Sequence, residues 1–237
     1  PDHFQEQPRG LVAHRTSPTN IGLLLLSTMA AYELGYVDLM NLLVRLRSAF
    51  DSLGDLERYR GHFLNWYETR NLTPLAPRYV STVDSGNLAA ALWTLAQGLQ
   101  SVTTLPVLHW QRWQGLVDAL GVLSEIIAPL KAGSLQEPVA DLEESLSTFR
   151  RRIDAVEDTP AQRYIVVIEL SGAEGQELVD RLAVLLEAAH EHLETQMLRD
   201  LRHWTERVHN HLSNMRQEME MLLPWLLHFY RPPDYLT

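Results

Sequence analysis

Apolar residues recur at helical spacing through the beginning of the sequence. Residues 18–34 are apolar on nearly every side, which predicts a buried inner helix that begins with Ser17 as its N-cap and ends at Gly35. Residues 38–53 carry leucines on one face and polar residues on the other, which predicts an amphipathic outer helix closed by Gly54. An inner helix followed by an outer one indicates an α/α toroid.

Two more helices are predicted before the middle of the chain. Leucines form a stripe along residues 84–102, and leucines and tryptophans form one along residues 106–131. Trp110 and Trp113 fall at core spacing and are expected to pack inside the protein. We therefore expect an all-α fold in which residues 1–131 are the N-terminal part of an (α/α)6-type domain, a partial (α/α) toroid of inner and outer helices.

The character of the sequence changes near residue 132, where glycines and prolines divide it into short pieces. Residues 132–237 are therefore predicted to form a separate helical-bundle insertion. A charged amphipathic helix is expected over residues 138–156. The β-branched residues 165–168 fit a strand or a helix equally well.

A long amphipathic helix is predicted over residues 176–223, where apolar side chains recur at alternating steps of four and three, as in a coiled coil. Unbroken, it would be a rod about 67 Å long, at 1.5 Å per residue over about 45 residues. A break near Asp200 is the alternative. The stripe would be buried either on the preceding helices or on a second copy of the chain.

One stretch between the helices is not helical in pattern. Residues 62–67 alternate polar and apolar side chains, and two prolines bracket residues 78–81, so we expect a small β-hairpin of these two strands. Asp84 is expected to cap the next helix. The hairpin carries Trp, Tyr, His, Asn and Arg side chains, which suit sugar recognition through ring faces and hydroxyl contacts. The alternative is a connecting hairpin whose Trp66 and Tyr67 belong to the core.

Composition narrows the class of protein. The 237 residues include 46% hydrophobic and 21% charged side chains, as in a folded globular protein, and the net charge of −10 argues against nucleic acid as a partner. The absence of cysteine excludes disulfides and thiolate metal sites. The apolar run at residues 21–32 falls short of the roughly 20 residues that span a bilayer. From its two ends we expect the chain to be a piece of a longer protein.

Spacing alone does not identify catalytic chemistry. Glycoside chemistry needs two carboxylates, but no pair can be selected from those near the hairpin and the N-terminal loop. These carboxylates are Asp2, Glu6, Glu57, Glu68 and Asp84. Five histidines of the last helix lack the i, i+4 spacing of a zinc site, so we predict no metal and no cofactor and expect them at the surface. They are His190, His192, His203, His209 and His211.

Three blocks of sequence resemble the middle region of bacterial cyclic β-1,2-glucan synthases. They are DHFQE at 2–6 with VAHRTSPTNIG at 12–22, LERYRGHFLNWYETR at 56–70, and RYVSTVDSGNL at 78–88. The helical remainder resembles, less specifically, the variable insertion of that family. Leu64 and Glu68 stand where an aromatic residue and Asp are usual.

The resemblance implies a large inner-membrane parent that builds a linear β-1,2-glucan from UDP-glucose, closes it by transglycosylation and trims it by phosphorolysis. The middle region of such synthases is an (α/α)6 toroid that performs the cyclising step. Its catalytic glutamates are expected beyond residue 237. This chain would then supply one wall of a sugar cleft and no catalytic residue. It would be a soluble fragment on the cytoplasmic side of the membrane, in contact with the rest of the parent polypeptide.

We therefore predict that the chain binds a β-1,2-glucan, with Trp66 or Tyr67 stacking on sugar rings and polar side chains bonding hydroxyl groups. About half of the predicted site residues are expected to brace the loops instead. The predicted residues are Arg15, Asn20, His62, Asn65, Trp66, Tyr67, Arg70, Asp84 and Asn87. The alternative function is a helical interaction module that forms a homo-oligomer through the long helix.

Overall fold

The structure, a computed structural model, describes most of the chain. The predicted all-α class with a small β-hairpin is confirmed, because within the described part nearly all regular structure is helical and every sheet has only two short strands. The described residues are 4–5, 10–131, 135–156, 159–189 and 195–226.

Packing divides the chain into two compact units. Unit 1 comprises Pro1–Glu33 and Leu39–Leu105, and unit 2 comprises Leu34–Asp38 and Pro106–Thr237. The sequence analysis placed a boundary at residue 131/132 instead. The difference arises because the helix after Pro106 packs with the later helices of the chain, so its apolar stripe contributes to the core of unit 2.

The described residues of unit 1 include three helices: α1 (Pro18–Glu33), α2 (Leu39–Asp55) and α3 (Thr82–Val102). The predicted N-cap of α1 is confirmed, since Ser17 Oγ accepts a hydrogen bond from the backbone N–H of Asn20 at 3.3 Å. The predicted turn after α1 is also present, with Gly35 at φ +81°. The expected closure of α2 by Gly54 is wrong, because Gly54 keeps helical geometry and the helix continues to Asp55.

Helices α1 and α3 run parallel and approach closely. A Cβ added at Gly22 of α1 would lie 2.9 Å from the Cβ of Ala91 in α3, and one added at Gly98 of α3 would lie 3.3 Å from the side chain of Met29 in α1. Residue numbers therefore increase in the same direction along both helices. The two N-termini consequently lie at the same end of unit 1.

The expectation that α1 is buried on nearly every side is wrong. Leu23 and Leu24 are 59% and 54% exposed, whereas Leu25 is fully buried. Among the described residues, α1 packs mainly against α2 and α3, and these two neighbours cover only part of its circumference.

Unit 1 also contains short strands, before α1 and between α2 and α3, that form antiparallel pairs. The strands are β1 (Phe4–Gln5), β2 (Leu11–Val12), β3 (Arg15–Thr16), β4 (Arg58–Tyr59), β5 (His62–Phe63) and β6 (Tyr67–Glu68). β1 pairs with β2, β3 with β6, and β4 with β5. Arg60 and Gly61 have φ values of +51° and +87°, as in the tight turns that close two-residue β-hairpins.

The hairpin is therefore shifted from its predicted position. Residues 62–67 split between two sheets, and residues 78–81 form no strand. The turn at Arg60-Gly61 pairs β5 back onto β4, which leaves β6 for the distant strand β3. The return segment is held by one backbone bond from Asn65 N to Tyr79 O, at 2.9 Å.

The predicted N-cap of α3 is also wrong. Ser81, with φ −92° and ψ 122°, occupies the cap position, and its Oγ accepts from the backbone N–H of Asp84 at 3.1 Å. Asp84 lies in the first turn of the helix, and its side chain is available for other contacts.

Unit 2 is a bundle whose core draws on all of its helices. These are α4 (Trp110–Ile127), α5 (Gln136–Asp154), α6 (Pro160–Ser171), α7 (Ala173–Ala189) and α8 (Thr195–Leu222), with a 3₁₀ turn at Ala128–Leu130 after α4. Helix α8 packs against α4 and α6, and α7 packs against α5 and α6. Trp113 is fully buried as expected, but Trp110 is 44% exposed, so the prediction that both pack inside is wrong for Trp110.

The open questions about the later helices are mostly resolved. Residues 165–168 are helical, within α6. The alternative of a break near Asp200 is not found, because Asp200 lies inside α8. The long helix predicted over residues 176–223 corresponds to α7 and α8, and its continuity depends on residues that the structure does not describe. The apolar stripe of α7 and α8 is buried against the preceding helices, which was one of the two expected alternatives. Residues 190–194, with His190 and His192, lie outside the described residues.

One helical stretch in the described part of the chain, Trp110–Leu130, is long and apolar enough to cross a membrane by length and composition, and 44% of its most apolar window is buried in the protein.

Polar groups are buried where α4 meets α8. Arg112 and Glu218 side chains are only 1% and 2% exposed, with Nε and Oε2 3.8 Å apart, and Arg112 Nη1 donates to the carbonyl oxygen of Gly35 at 2.9 Å. His211 is buried beside them, and its Nε2 lies 2.9 Å from the carbonyl oxygen of Arg112. Since a carbonyl can only accept, Nε2 carries the proton. The expectation that His211 lies at the surface is therefore wrong.

The close approach of α1 and α3 can be tested with two glycines. Gly22→Ala should lower the free energy of unfolding, because overpacking costs about 1–3 kcal/mol and the helix-propensity gain is only about 1 kcal/mol. Gly86→Ala in α3 is the matched control, since nothing lies within 4 Å of its added Cβ, and it should stabilise the protein. Urea denaturation measures both. Equal stabilisation by the two changes would contradict the close approach.

The buried histidine predicts loss of stability in acid. Burial, together with the charge of Arg112, lowers the pKa of His211 to about 3. Its pKa in the unfolded chain is about 6.5, so protons bind preferentially to the unfolded state. The free energy of unfolding should fall as pH drops from about 6.5 toward 3, by up to about 1.4 kcal/mol per pH unit. His211→Gln should reduce this slope in denaturation measured across the range; an unchanged slope would contradict the assignment.

Candidate functional site

The first and second motif blocks meet in the β3–β6 ladder. Arg15 pairs with Glu68 and Thr16 pairs with Tyr67. The contact extends by one residue at its end, where the backbone N–H of Thr69 donates to His14 O at 3.2 Å. Segments more than fifty residues apart in sequence are thereby brought to the N-terminal end of α1.

The inner face of this ladder is structural. Because opposed residues of an antiparallel pair share a face, Thr16 and Tyr67 lie on the same side. Tyr67 is fully buried, and its hydroxyl accepts from the backbone N–H of Leu64 and donates to Glu57 O, both at 2.7 Å. Burial raises the pKa of the Tyr67 hydroxyl. Of the two residues predicted to stack on a sugar, Trp66 or Tyr67, Tyr67 has an enclosed ring, and Trp66 is the remaining candidate.

Asp84 connects the third motif block with the first. Thr19 Oγ1 donates to Asp84 Oδ1 at 2.6 Å, and Asn87 Nδ2 donates to Thr19 Oγ1 at 3.0 Å. Burial raises the pKa of the Asp84 carboxyl, but hydrogen bonds from Ser81, Thr19 and Ser17 outweigh it, so that the pKa is lowered overall. Asp84 is therefore an ionised acceptor at the shared N-terminal end of α1 and α3.

Asn65 lies at the centre of the network and is only 5% exposed. Its amide is assigned with Nδ2 toward Asp84 Oδ2, at 2.8 Å. In this orientation Oδ1 accepts from Trp66 Nε1 at 2.8 Å and from the Tyr79 hydroxyl at 2.7 Å. Asn65, which the sequence predicts as a contact for sugar hydroxyls, is buried, and its amide serves these three neighbours.

Trp66 and Arg15 form the exposed side of the same network. The guanidinium carbon of Arg15 lies 4.8 Å from the centre of the Trp66 ring, within cation–π range. Arg15 is exposed and Trp66 is half-buried. These two predicted site residues are brought together with Asp84 and, through Thr19, with Asn87.

A shallow groove begins beside this network and continues along α1. It has a volume of about 540 Å³ and is mainly apolar. Its lining residues are Thr16, Asn20, Ile21, Leu23, Leu24, Leu26, Ser27 and Ala30. Asn20, another predicted site residue, is half-buried at the end of the groove nearest the motif blocks.

Two predicted residues have other surroundings. His62 is exposed on the β4–β5 hairpin, where it pairs with Tyr59. Arg70 is exposed and forms an ion pair with Glu68 at 2.9 Å, and the hydrogen bond from Arg70 lowers the pKa of the Glu68 carboxyl. Glu68 is thus paired with a neighbouring arginine, and Glu57 forms an ion pair with Arg78.

Four residues that sequence reasoning missed contribute to the arrangement. Ser17, Thr19, Tyr79 and Ser81 all bond to Asp84 or Asn65. Each belongs to one of the motif blocks, and this membership is the sequence signal that could have identified them. The arrangement holds hydrogen-bonding groups in place; among the described residues, no group of three or more His, Asp or Glu side chains could hold a metal ion. Asp2 and Glu6 lie outside the described residues.

The comparisons with known proteins agree with the motif blocks. No protein-family model matches the chain. The chain is 38% identical over 174 residues to the cyclic β-(1,2)-glucan synthase NdvB of Rhizobium meliloti (strain 1021). The match includes 72% of this chain but only 6% of that relative, so the chain spans a small share of the relative's length. The resemblance predicted from the three motif blocks is therefore confirmed, and the chain is similar to a fragment of a cyclic β-(1,2)-glucan synthase.

Proposed function

We propose that the chain contributes part of the sugar-binding cleft in the transglycosylating, cyclising domain of a cyclic β-1,2-glucan synthase. The supporting observation is that the three motif blocks, through which the chain resembles that family, converge at the N-terminal end of α1 and α3. Such convergence from distant parts of the sequence is typical of a ligand site carried on a rigid scaffold. No catalytic residue is assigned to this chain.

The proposed contact area, called here the motif surface, consists of Arg15, Asn20, Trp66 and Asn87. These side chains are exposed or half-buried, and they offer guanidinium and amide groups beside an aromatic ring. Sugar recognition needs this combination, because hydroxyl groups require both donors and acceptors. Half-buried Asp84 and buried Asn65 support the surface from within.

The resemblance to this family also supports a proposal about the whole protein. We propose a membrane-anchored parent with this segment on its cytoplasmic side, where it contacts a β-1,2-glucan and the rest of the polypeptide. The alternative of a homo-oligomer formed through the long helix has less support, because the stripe of α8 is buried against α4 and α6 of the same unit.

The binding proposal predicts the effect of Trp66→Ala. In calorimetric titration of the chain with β-1,2-glucan, we expect this change to weaken binding about tenfold, since aromatic contacts with a ligand or with a neighbouring cation contribute about 0.5–2 kcal/mol. Trp93→Ala is the matched control, because Trp93 is 75% exposed on α3 and is not part of the motif surface. Its affinity should equal that of the unchanged chain.

Two outcomes would contradict the proposal. One is an absence of β-1,2-glucan binding by the unchanged chain. The other is the same affinity for Trp66→Ala and Trp93→Ala, with both variants shown by circular dichroism to be folded.

Asn65→Ala tests whether Asn65 stabilises the network of side chains beneath the motif surface. The change would leave Asp84 Oδ2, Trp66 Nε1 and the Tyr79 hydroxyl without this partner, and we expect it to lower the free energy of unfolding by about 1–3 kcal/mol. Asn87→Ala, at an exposed position, should lower stability by less than about 1 kcal/mol. Urea denaturation measures both. A larger loss for Asn87→Ala would contradict the central position assigned to Asn65.

A further inference from the structure

We infer that Trp66 acts on a bound glucan through Arg15: the indole ring holds the Arg15 guanidinium against the sugar hydroxyls instead of stacking on a sugar ring itself. Trp66 would then be a positioning residue and Arg15 the ligand contact. The inference rests on the proposed function and specifies how the motif surface would meet its ligand.

The orientation of the Trp66 indole is fixed by hydrogen bonds on the side of the protein interior. Asp84 Oδ2 accepts from Asn65 Nδ2, and Asn65 Oδ1 accepts from Trp66 Nε1, each at 2.8 Å. The carboxylate is ionised and the amide is buried, so both bonds form in surroundings where losing them costs most. A ring held by its Nε1 in this way cannot turn freely to follow a ligand.

Arg15 lies against the indole ring of Trp66. Arg15 lies across the ladder from Glu68, and Trp66 is two residues from Glu68 on the same strand side, so Arg15 and Trp66 are diagonal neighbours. The guanidinium carbon is 4.8 Å from the ring centre. A pyranose stacking on this face would have to displace the guanidinium. The arrangement therefore uses the aromatic face for a protein cation.

Arg15 also brings hydrogen-bond donors to this surface. A guanidinium carries five N–H donors in its plane. Arg15 is exposed, so part of its side chain is in contact with solvent. Hydroxyl oxygens of a glucan are suitable acceptors. A guanidinium held in one orientation loses less conformational entropy on binding than a mobile side chain would.

A double-mutant cycle tests the inference. The affinity of the chain for β-1,2-glucan is measured by calorimetry for the unchanged protein, for Arg15→Ala, for Trp66→Ala and for the double variant. If Trp66 acts through Arg15, each single change weakens binding about tenfold, and the double change weakens it by about the same factor. Trp66→Phe, which keeps a flat ring for the guanidinium, should recover part of the lost affinity.

The alternative outcomes are distinct. A loss of about a hundredfold in the double variant, equal to the product of the single losses, would show that Trp66 contacts the sugar itself and would overturn the inference while leaving the proposed function intact. Unchanged affinity for Arg15→Ala would overturn it as well. No binding by the unchanged chain would overturn the proposed function and the inference together.

Discussion

Asp84 is the group on which the motif end of unit 1 depends. Its carboxylate accepts from Thr19 at the start of α1 and from Asn65 in the loop after β5, and its backbone N–H bonds to the Ser81 cap of α3. Partial burial of a carboxylate is unfavourable, and these bonds offset that cost. Because these bonds join the start of α1, the loop after β5 and the start of α3, the position of each segment depends on the other two, and any surface built on them is correspondingly fixed.

The helices could be predicted from the sequence, but the small strands could not. Helical spacing and the Ser17-Pro18 pair correctly predicted where α1 begins, because both are local features of the sequence. The partner of β6 is β3, about fifty residues earlier, and no local pattern encodes that pairing. The tight turn at Arg60-Gly61 decided that His62 pairs backward along the chain. Composition also could not indicate that α1 leaves Leu23 exposed, because exposure depends on which neighbours the helix has.

For the candidate site, the positions were predictable and the roles were not. The motif blocks do converge, but burial assigns Tyr67 and Asn65 to the interior and leaves Trp66 and Arg15 at the surface. Alternation along 62–67 cannot show which face is inward until the partner strand is known. The contact between Arg15 and Trp66 likewise depends on a register between two distant strands. Residue types suited to sugar recognition thus occur both in the interior and at the surface, and the contacts of each residue decide between the two positions.

The parallel course of α1 and α3 has an electrostatic consequence. Each helix N-terminus carries about half a positive charge, from the aligned dipoles of its peptide groups. Two such ends side by side amount to roughly one unit of positive charge, and the Asp84 carboxylate between them has the opposite sign. The helix ends are thereby neutralised from within the protein. An uncharged ligand could approach this place without competing against an anion that the helix dipoles would otherwise attract.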